Sequence, residues 1–284
     1  MVTLPAKKEA ALTLQEKYKV SERHACRVLS LPISSKRYQP KKVNDPRLVE
    51  RIKYWAEKRP SYGCPIIHEK ILRDGFKVNH KRTERLYYKV LKLSLRVKPK
   101  RKRYRSVVRV PVEMPLRPNH VWSMDFVADQ LGYGKKIRGL VIVDVLSKMN
   151  MALDFDYSMS GFKVVQILER VCEFNGKPEF IRVDNGPEFI CMALDKWAYE
   201  NDVKLQFSRP GKPTDNAFVE SFNGKMRREF LNRHWFKDLR DVNEKAQVWR
   251  EEYNTDRPHR SLGMKTPMEF VENWDLNSAE RLIS

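Results

Sequence analysis

Hydrophobic positions change their period partway along the chain. Up to residue 97 they recur at helical spacing, and from about residue 118 they alternate and clump as strands do. Leu48, Ile52 and Trp55 fall at i, i+4 and i+7 behind Asp45-Pro46, which predicts a helix capped by Asp45 with Pro46 in its first turn. In AALTLQEKYKVSERHACRVLSLPISSKRY (10–38), Ser21 can cap the run ERHACRVL and Leu31-Pro32 interrupts it, so two or three short helices are expected. After Arg59-Pro60, YGCPIIHEKILRDG closes on a glycine turn. VNHKRTERLYYKVLKL then predicts a helix with Arg82, Arg85 and Lys89 along one side. Helix, tight turn and basic helix give a helix-turn-helix outline, and these three side chains are candidate DNA contacts.

The second half reads differently. HVWSMDFVAD predicts a strand, LGYGKKIRG a hairpin, and LVIVDVLSK and MALDFDYS two further strands. SGFKVVQILERVCEFNG predicts a helix with a glycine stop, and PEFIRVDNGPEF a strand running into a turn. ICMALDKWAYEND (helix), VKLQFSRP (strand) and 209–231, RPGKPTDNAFVESFNGKMRREFL (turn, then helix), follow. Three antiparallel strands and then alternating helices and strands describe a mixed five-stranded α/β sheet with helices on both faces. VNEKAQVWREEYNTDRPHRSLGMKTPMEF adds a helix expected to bury Val248 and Trp249, then a turn-rich stretch. Tyr253, Asn254, Arg257, Pro258 and His259 are candidates there for packing and positioning.

Charge sharpens the division. The chain carries +20 at pH 7, yet residues 1–120 hold 32 lysines and arginines against 10 acids, while the remainder is nearly balanced. Such asymmetry suits an arm that grips phosphates joined to a body with another task. KPKRKRYRSVVR (98–109) has seven basic side chains and no acid, so it reads as a DNA-hugging linker, with Lys100, Arg101, Lys102 and Arg103 as candidate contacts. The expected division is a small helix-turn-helix-like segment (1–40), a second such domain (41–97), a basic linker (98–117) and a catalytic body with a helical extension (118–284). Cys26, Cys64, Cys172 and Cys191 form no C-x-x-C, and Cys64 with His68 lacks a second ligand pair for zinc. Nothing reads as a signal peptide or a membrane-spanning run, so a cytoplasmic, nucleoid-associated protein with no membrane partner is expected.

Two predicted strands carry acids at places where ligands gather. Asp125 lies within the first strand and Asp184 where the fourth meets its turn. Glu220 follows Asp184 after 35 residues, on the helix behind P-G-K-P-T-D-N. That spacing means little by itself; the exposed turn after Asp184 and the helix able to fold back on the sheet give it weight. Three converging carboxylates repel one another unless cations neutralise them. Oxygen-only ligands favour Mg²⁺ or Mn²⁺, and two such ions would clamp the attacking and leaving oxygens of a phosphodiester. Asn223 and Arg227, at i+3 and i+7 from Glu220, share its face and are placed to meet phosphates; Lys225 and Arg228 point elsewhere and are weaker candidates. His259 as general base is disfavoured, because metal-activated water needs none.

WSMDFV, VDNGPEF, DNAFVESFNGKMRREFL and YNTDRPHRSLGMKTPMEF resemble the integrase catalytic core of insertion-sequence transposases, and the chain is most similar to the B-frame protein of the IS-three family. The likeness reaches the N-terminal segments VSERHACRVLSLPISSKRY and RPSYGCPIIHEKILRDGFKVNHKRTERLYYKVLKL. It implies a ribonuclease-H-like fold, a D-D-E triad falling on Asp125, Asp184 and Glu220, and a basic residue seven positions on, Arg227. Asp144 is expected to be structural. The implied function is a DNA transposase that frees a 3′-hydroxyl at element ends and joins it to DNA, acting on double-stranded DNA as a homo-oligomer. No zinc module of the retroviral kind and no heptad run are recognised, so end recognition is expected to draw on an upstream A-frame product, fused or separate. The alternatives are a non-catalytic DNA-binding regulator and a ribonuclease H or junction resolvase on the same fold.

Overall fold

The computed structural model describes residues 3–38, 45–95, 115–208 and 217–274. The predicted linker contacts Lys100 to Arg103 and the turn P-G-K-P-T-D-N therefore lie outside the described residues. The chain divides into two units, 1–49 and 50–284. In the first, α1 (Leu4–Tyr18), α2 (Glu22–Val28) and α3 (Ile33–Arg37) enclose a small core of Ala11, Ala25 and Leu31. Ser21 caps α2 by accepting from His24 N–H at 3.3 Å, and Pro32 stands at the head of α3.

The larger unit takes in most of α4 (Pro46–Lys58), then α5 (Cys64–Arg73) and α6 (His80–Glu84). Leu48, Ile52 and Trp55 of α4 are buried as their spacing requires. Asp45 Oδ1 accepts from Arg47 N–H at 3.1 Å, which makes it the expected cap. Gly75 makes the turn after α5 at φ +87°. Beyond α6 the chain winds on as a π-helix, Arg85–Val90, closed by Leu91 N–H to Leu86 O at 2.8 Å. The sequence pattern gives no sign of this wider turn, because a π turn shifts the buried positions by only one residue. Arg59, Lys70 and Arg73 of this helical portion pair with Glu252, Asp256 and Glu269.

The sheet comprises β1 (Val121–Gln130), β2 (Lys136–Asp144), β3 (Asn150–Asp156), β4 (Phe180–Val183) and β5 (Lys204–Phe207), in the order β3-β2-β1-β4-β5. β1 pairs antiparallel with β2 and parallel with β4. This is the expected mixed sheet of ribonuclease-H-like type. β2 starts four residues before its apolar run, since hairpin pairing with β1 extends through Lys136 and Ile137, and it ends at Asp144 rather than Lys148. Asp144 is structural: it is buried and accepts from Ser147 N–H, Ser147 Oγ and Asn119 N–H at 2.6 to 2.7 Å.

Alternation along the strands sends Trp122, Met124, Ile181 and Val183 to one face. There they pack under α7 (Gly161–Asn175) and α8 (Met192–Glu200). Ser160 caps α7, and Gly176 ends it at φ +74°, a conformation β-carbons disfavour. Val127, Val141, Val143 and Leu153 face the other way, onto α9 (Ala217–Glu229) and α10 (Leu239–Thr255). A last helix, α11, spans 267–274.

β3 is an edge strand, and α10 covers that edge with side chains. Asn254 accepts from Asn150 N–H at 2.9 Å and donates to Asn150 O at 3.0 Å. Asn243 does the same for Phe155, while Gln247 and Arg250 donate to Leu153 O and Met151 O. Residues 243, 247, 250 and 254 form one helical stripe; Val242, Ala246, Trp249 and Tyr253, next to it, are the buried stripe. Val248 falls on the face left over and is 61% exposed, so the expected burial holds for Trp249 alone.

Candidate active site

Asp125 and Asp184 come together through strand register. β1 and β4 run parallel with Ser123 opposite Arg182. Two residues on, that register sets Asp125 beside Asp184, just past the end of β4, and adjacent strands lie about 4.8 Å apart. Both acids share the parity of Val127 and Arg182, opposite to the Trp122–Ile181 face, so both look towards the α9 layer. α9 lies over β1 and brings Glu220 in its first turn. Burial first, and then the negative charges of Asp184 and Glu220, raise the Asp125 carboxyl to about 6, although a hydrogen bond from Phe126 N–H opposes the shift. All three carboxylates thus share one electrostatic neighbourhood.

Asp125 and Asp184 are each held in place by a hydrogen bond. Asn223 Nδ2 donates to Asp125 Oδ2 at 2.8 Å, and Gly186 N–H donates to Asp184 Oδ1 at 2.9 Å. Among the described residues, no three His, Cys, Asp or Glu side chains stand close enough to share an ion as they are. The donor set nevertheless fits a hard divalent cation: three oxygen ligands, with mutual repulsion already visible at Asp125. Asn223, the candidate phosphate contact, thus also touches Asp125, while its buried Oδ1 has no partner among the described residues.

Known proteins show the same architecture. Two family models, each described as an integrase core domain, match residues 115–213 and 201–267. The transposase for insertion sequence element IS904 of Lactococcus lactis subsp. lactis is 24% identical over 240 residues, 78% of this chain and 92% of that protein. An uncharacterized 31.7 kDa protein of insertion element IS407 from Burkholderia multivorans is 40% identical over 260 residues, 91% of this chain and 93% of its own length. This chain belongs to the insertion-sequence transposase family. Among solved structures, the simian T-cell lymphotropic virus intasome in complex with PP2A regulatory subunit B56 gamma is similar in fold, with a TM-score of 0.50 and 17% identity over 78% of this chain and 74% of that one.

The remaining predicted residues of this transposase-family chain fall into separate groups. Arg227 is exposed and anchored by Nη2 to Ala128 O at 3.1 Å, on the same strand as Asp125. Arg228 is exposed, whereas Lys225 is half-buried on another face of α9, its Nζ 3.1 Å from Ser221 Oγ. Arg82, Arg85 and Lys89 lie exposed on α6 and the π turn. Tyr253, Asn254, Arg257 and His259 are all buried. Burial first, then the charges of Arg257, Lys225 and Lys148, lower the His259 imidazole to about 2, which removes it as a solvent-reaching base.

Glu188 and Arg138 were not singled out by sequence reasoning. Arg138 on β2 pairs with Glu188 and stacks over Phe126, 4.3 Å from its ring centre, and Phe126 in turn stacks on Phe189 at 4.5 Å. A β-carbon on Gly186 would sit 2.9 Å from Asp184 Oδ1 and 3.3 Å from Glu188 Oε2, so this glycine lets the turn fold tightly around the acid. The motif VDNGPEF contained Glu188, but its partner stands 50 residues away, beyond any local pattern.

Proposed function

We propose that the chain cuts DNA at the ends of a mobile element and joins the freed 3′-hydroxyl to a second DNA, with Asp125, Asp184 and Glu220 as the metal-holding acids. The observation that carries this reading is the meeting of Asp125 and Asp184 across parallel strands, with the charge of Glu220 acting on the same carboxyl. These acids would hold divalent ions, Mg²⁺ or Mn²⁺ and two in number, which would supply an acidified attacking hydroxyl and neutralise the departing oxyanion. Asn223 keeps Asp125 turned towards the site, and Arg227 stands where a phosphate of the bound strand can reach it.

In the first step a water oxygen bonds to phosphorus and the P–O3′ bond breaks, leaving a 3′-hydroxyl and a 5′-phosphate. In the second, that 3′-oxygen bonds to a target phosphorus, the target P–O3′ bond breaks, and the proton lost by the attacking hydroxyl is balanced by one taken up by the departing 3′-oxygen. The exposed basic side of α6 and the π turn serves double-stranded DNA. The working form is an oligomer of this chain on paired ends, with an upstream A-frame product as a further partner. Among the described residues no helix is long and apolar enough to cross a membrane.

Labelled element-end duplex incubated with the purified chain, with and without Mg²⁺, gives the test. New 3′ termini and joined products should need the ion, and Asp184→Asn should abolish both while sparing DNA binding. Joining by Asp184→Asn would overturn the triad, and binding without any cleavage by the unaltered chain would leave a regulator.

A further inference from the structure

The face of α9 turned away from the acids carries a second group of charges. Glu220 and Lys225 are separated by roughly 140° around the helix. Phe218, Ser221 and Lys225 form their own stripe beside the β2–β3 turn. From that turn Lys148 places Nζ 4.1 Å from the Phe218 ring centre, and Lys225 touches Ser221. Among the described residues neither lysine makes an ion pair. The nearby acids are engaged elsewhere: Asp144 accepts from Ser147 and Asn119, and Glu229 is held by Arg257 through two hydrogen bonds of 2.7 and 2.8 Å.

His259 lies at the same place. It is 3% exposed, packs edge-on against Tyr253 at 4.9 Å, and its buried Nε2 has no hydrogen-bond partner among the described residues. The charges of Lys148, Lys225 and Arg257 all act on this ring, which burial keeps neutral, so it adds no further cation to the two lysines. Burial first, then the charge of Arg257 with smaller shares from Lys148 and Arg228, lowers the Lys225 amine to about 8, against the opposing charge of Glu229. Two half-buried ammonium groups that make no ion pair among the described residues are suited to an oxyanion.

We propose that Lys148 and Lys225 form a second phosphate site that holds the DNA backbone at a phosphodiester other than the one being cut. This rests on the reading of the chain as a DNA-processing enzyme. The site lies across α9 from Glu220, one helix diameter or about 10 Å away, so a strand passing over α9 touches both faces.

The test measures binding of a labelled duplex in EDTA as a function of salt, for the full chain, for Lys148→Gln/Lys225→Gln and for the charge-keeping Lys148→Arg/Lys225→Arg. Each phosphate contact contributes about 0.9 to the slope of log K against log salt, so the glutamine variant should be shallower by about 0.9 and the arginine variant unchanged. Equal slopes for all three, with the unaltered chain still showing steep salt dependence, would overturn the proposal. No salt-dependent binding by the unaltered chain would instead overturn the DNA reading beneath it. Thermal melting with inorganic phosphate alone separates the sources. Strong stabilisation that the glutamine variant loses, without a change of slope, would assign the site to free anions and sink the backbone assignment.

Discussion

Glu229 and Arg257 hold one another through a bidentate pair inside the larger unit, with side chains 8% and 9% exposed. Tyr62 and Tyr253 flank the guanidinium at 5.7 and 5.8 Å. Removing one member leaves a buried charge alone, which costs about 3–5 kcal/mol, far more than deleting a surface pair. Glu229→Gln should therefore lower stability by that amount in urea titration. Asp125 predicts the opposite sign. Its folded carboxyl keeps a proton up to about 6, whereas an unfolded aspartate loses it near 3.8. The folded state binds more protons between those values, so without divalent ions stability is fully present below about 4 and is lost as pH rises through about 6. At roughly 1.4 kcal/mol per pKa unit, discounted for partial exposure, Asp125→Asn should gain about 1–2 kcal/mol at pH 7 in EDTA. The gain should vanish below pH ~4; an unchanged pH profile would contradict it.

At the scale of elements, α10 does two things with neighbouring stripes: one fills the core and the other hydrogen-bonds the edge of β3. Asn254→Ala leaves a buried N–H and C=O of Asn150 without partners. It should cost about 1–3 kcal/mol and speed hydrogen exchange at the Asn150 amide, with little change at β1. Apolar spacing marks a buried face and says nothing about a polar stripe that serves backbone groups, which is why Val248 was misplaced beside Trp249. The caps were legible because they are local: Ser21 and Asp45 meet N–H groups two or three residues ahead. Asp125 was also legible, since the alternation in WSMDFV fixes its face. Arg138, Glu188 and the Lys148–His259 neighbourhood depend on chain segments 50 or more residues apart, and no periodicity encodes those meetings.

Across the molecule, the helical portion from residue 50 is joined to the sheet's helices by ion pairs rather than by a shared apolar seam alone. Lys70 is buried against Asp256, and its ammonium lies 4.9 Å from the Trp55 ring centre. Asp256→Ala should cost about 1–3 kcal/mol, because it strands a buried cation while removing a half-exposed acid. Exchange at the Ile67 and Ile71 amides of α5 should quicken while β2 stays protected; uniform loss across both would mean the two parts unfold as one. The charge imbalance between the halves was plain from composition, but the attachment was not, since the acids paired with Lys70 and Arg73 lie 186 and 196 residues further along the chain.

The side-chain ladder from α10 has a topological consequence. Unpaired strand margins invite other chains to add on, and this one is already occupied along β3 by amides and a guanidinium from the same polypeptide. Copies meeting on that flank must do so through side chains and helix surfaces. The sheet cannot be lengthened there by docking a foreign strand unless α10 is first peeled away.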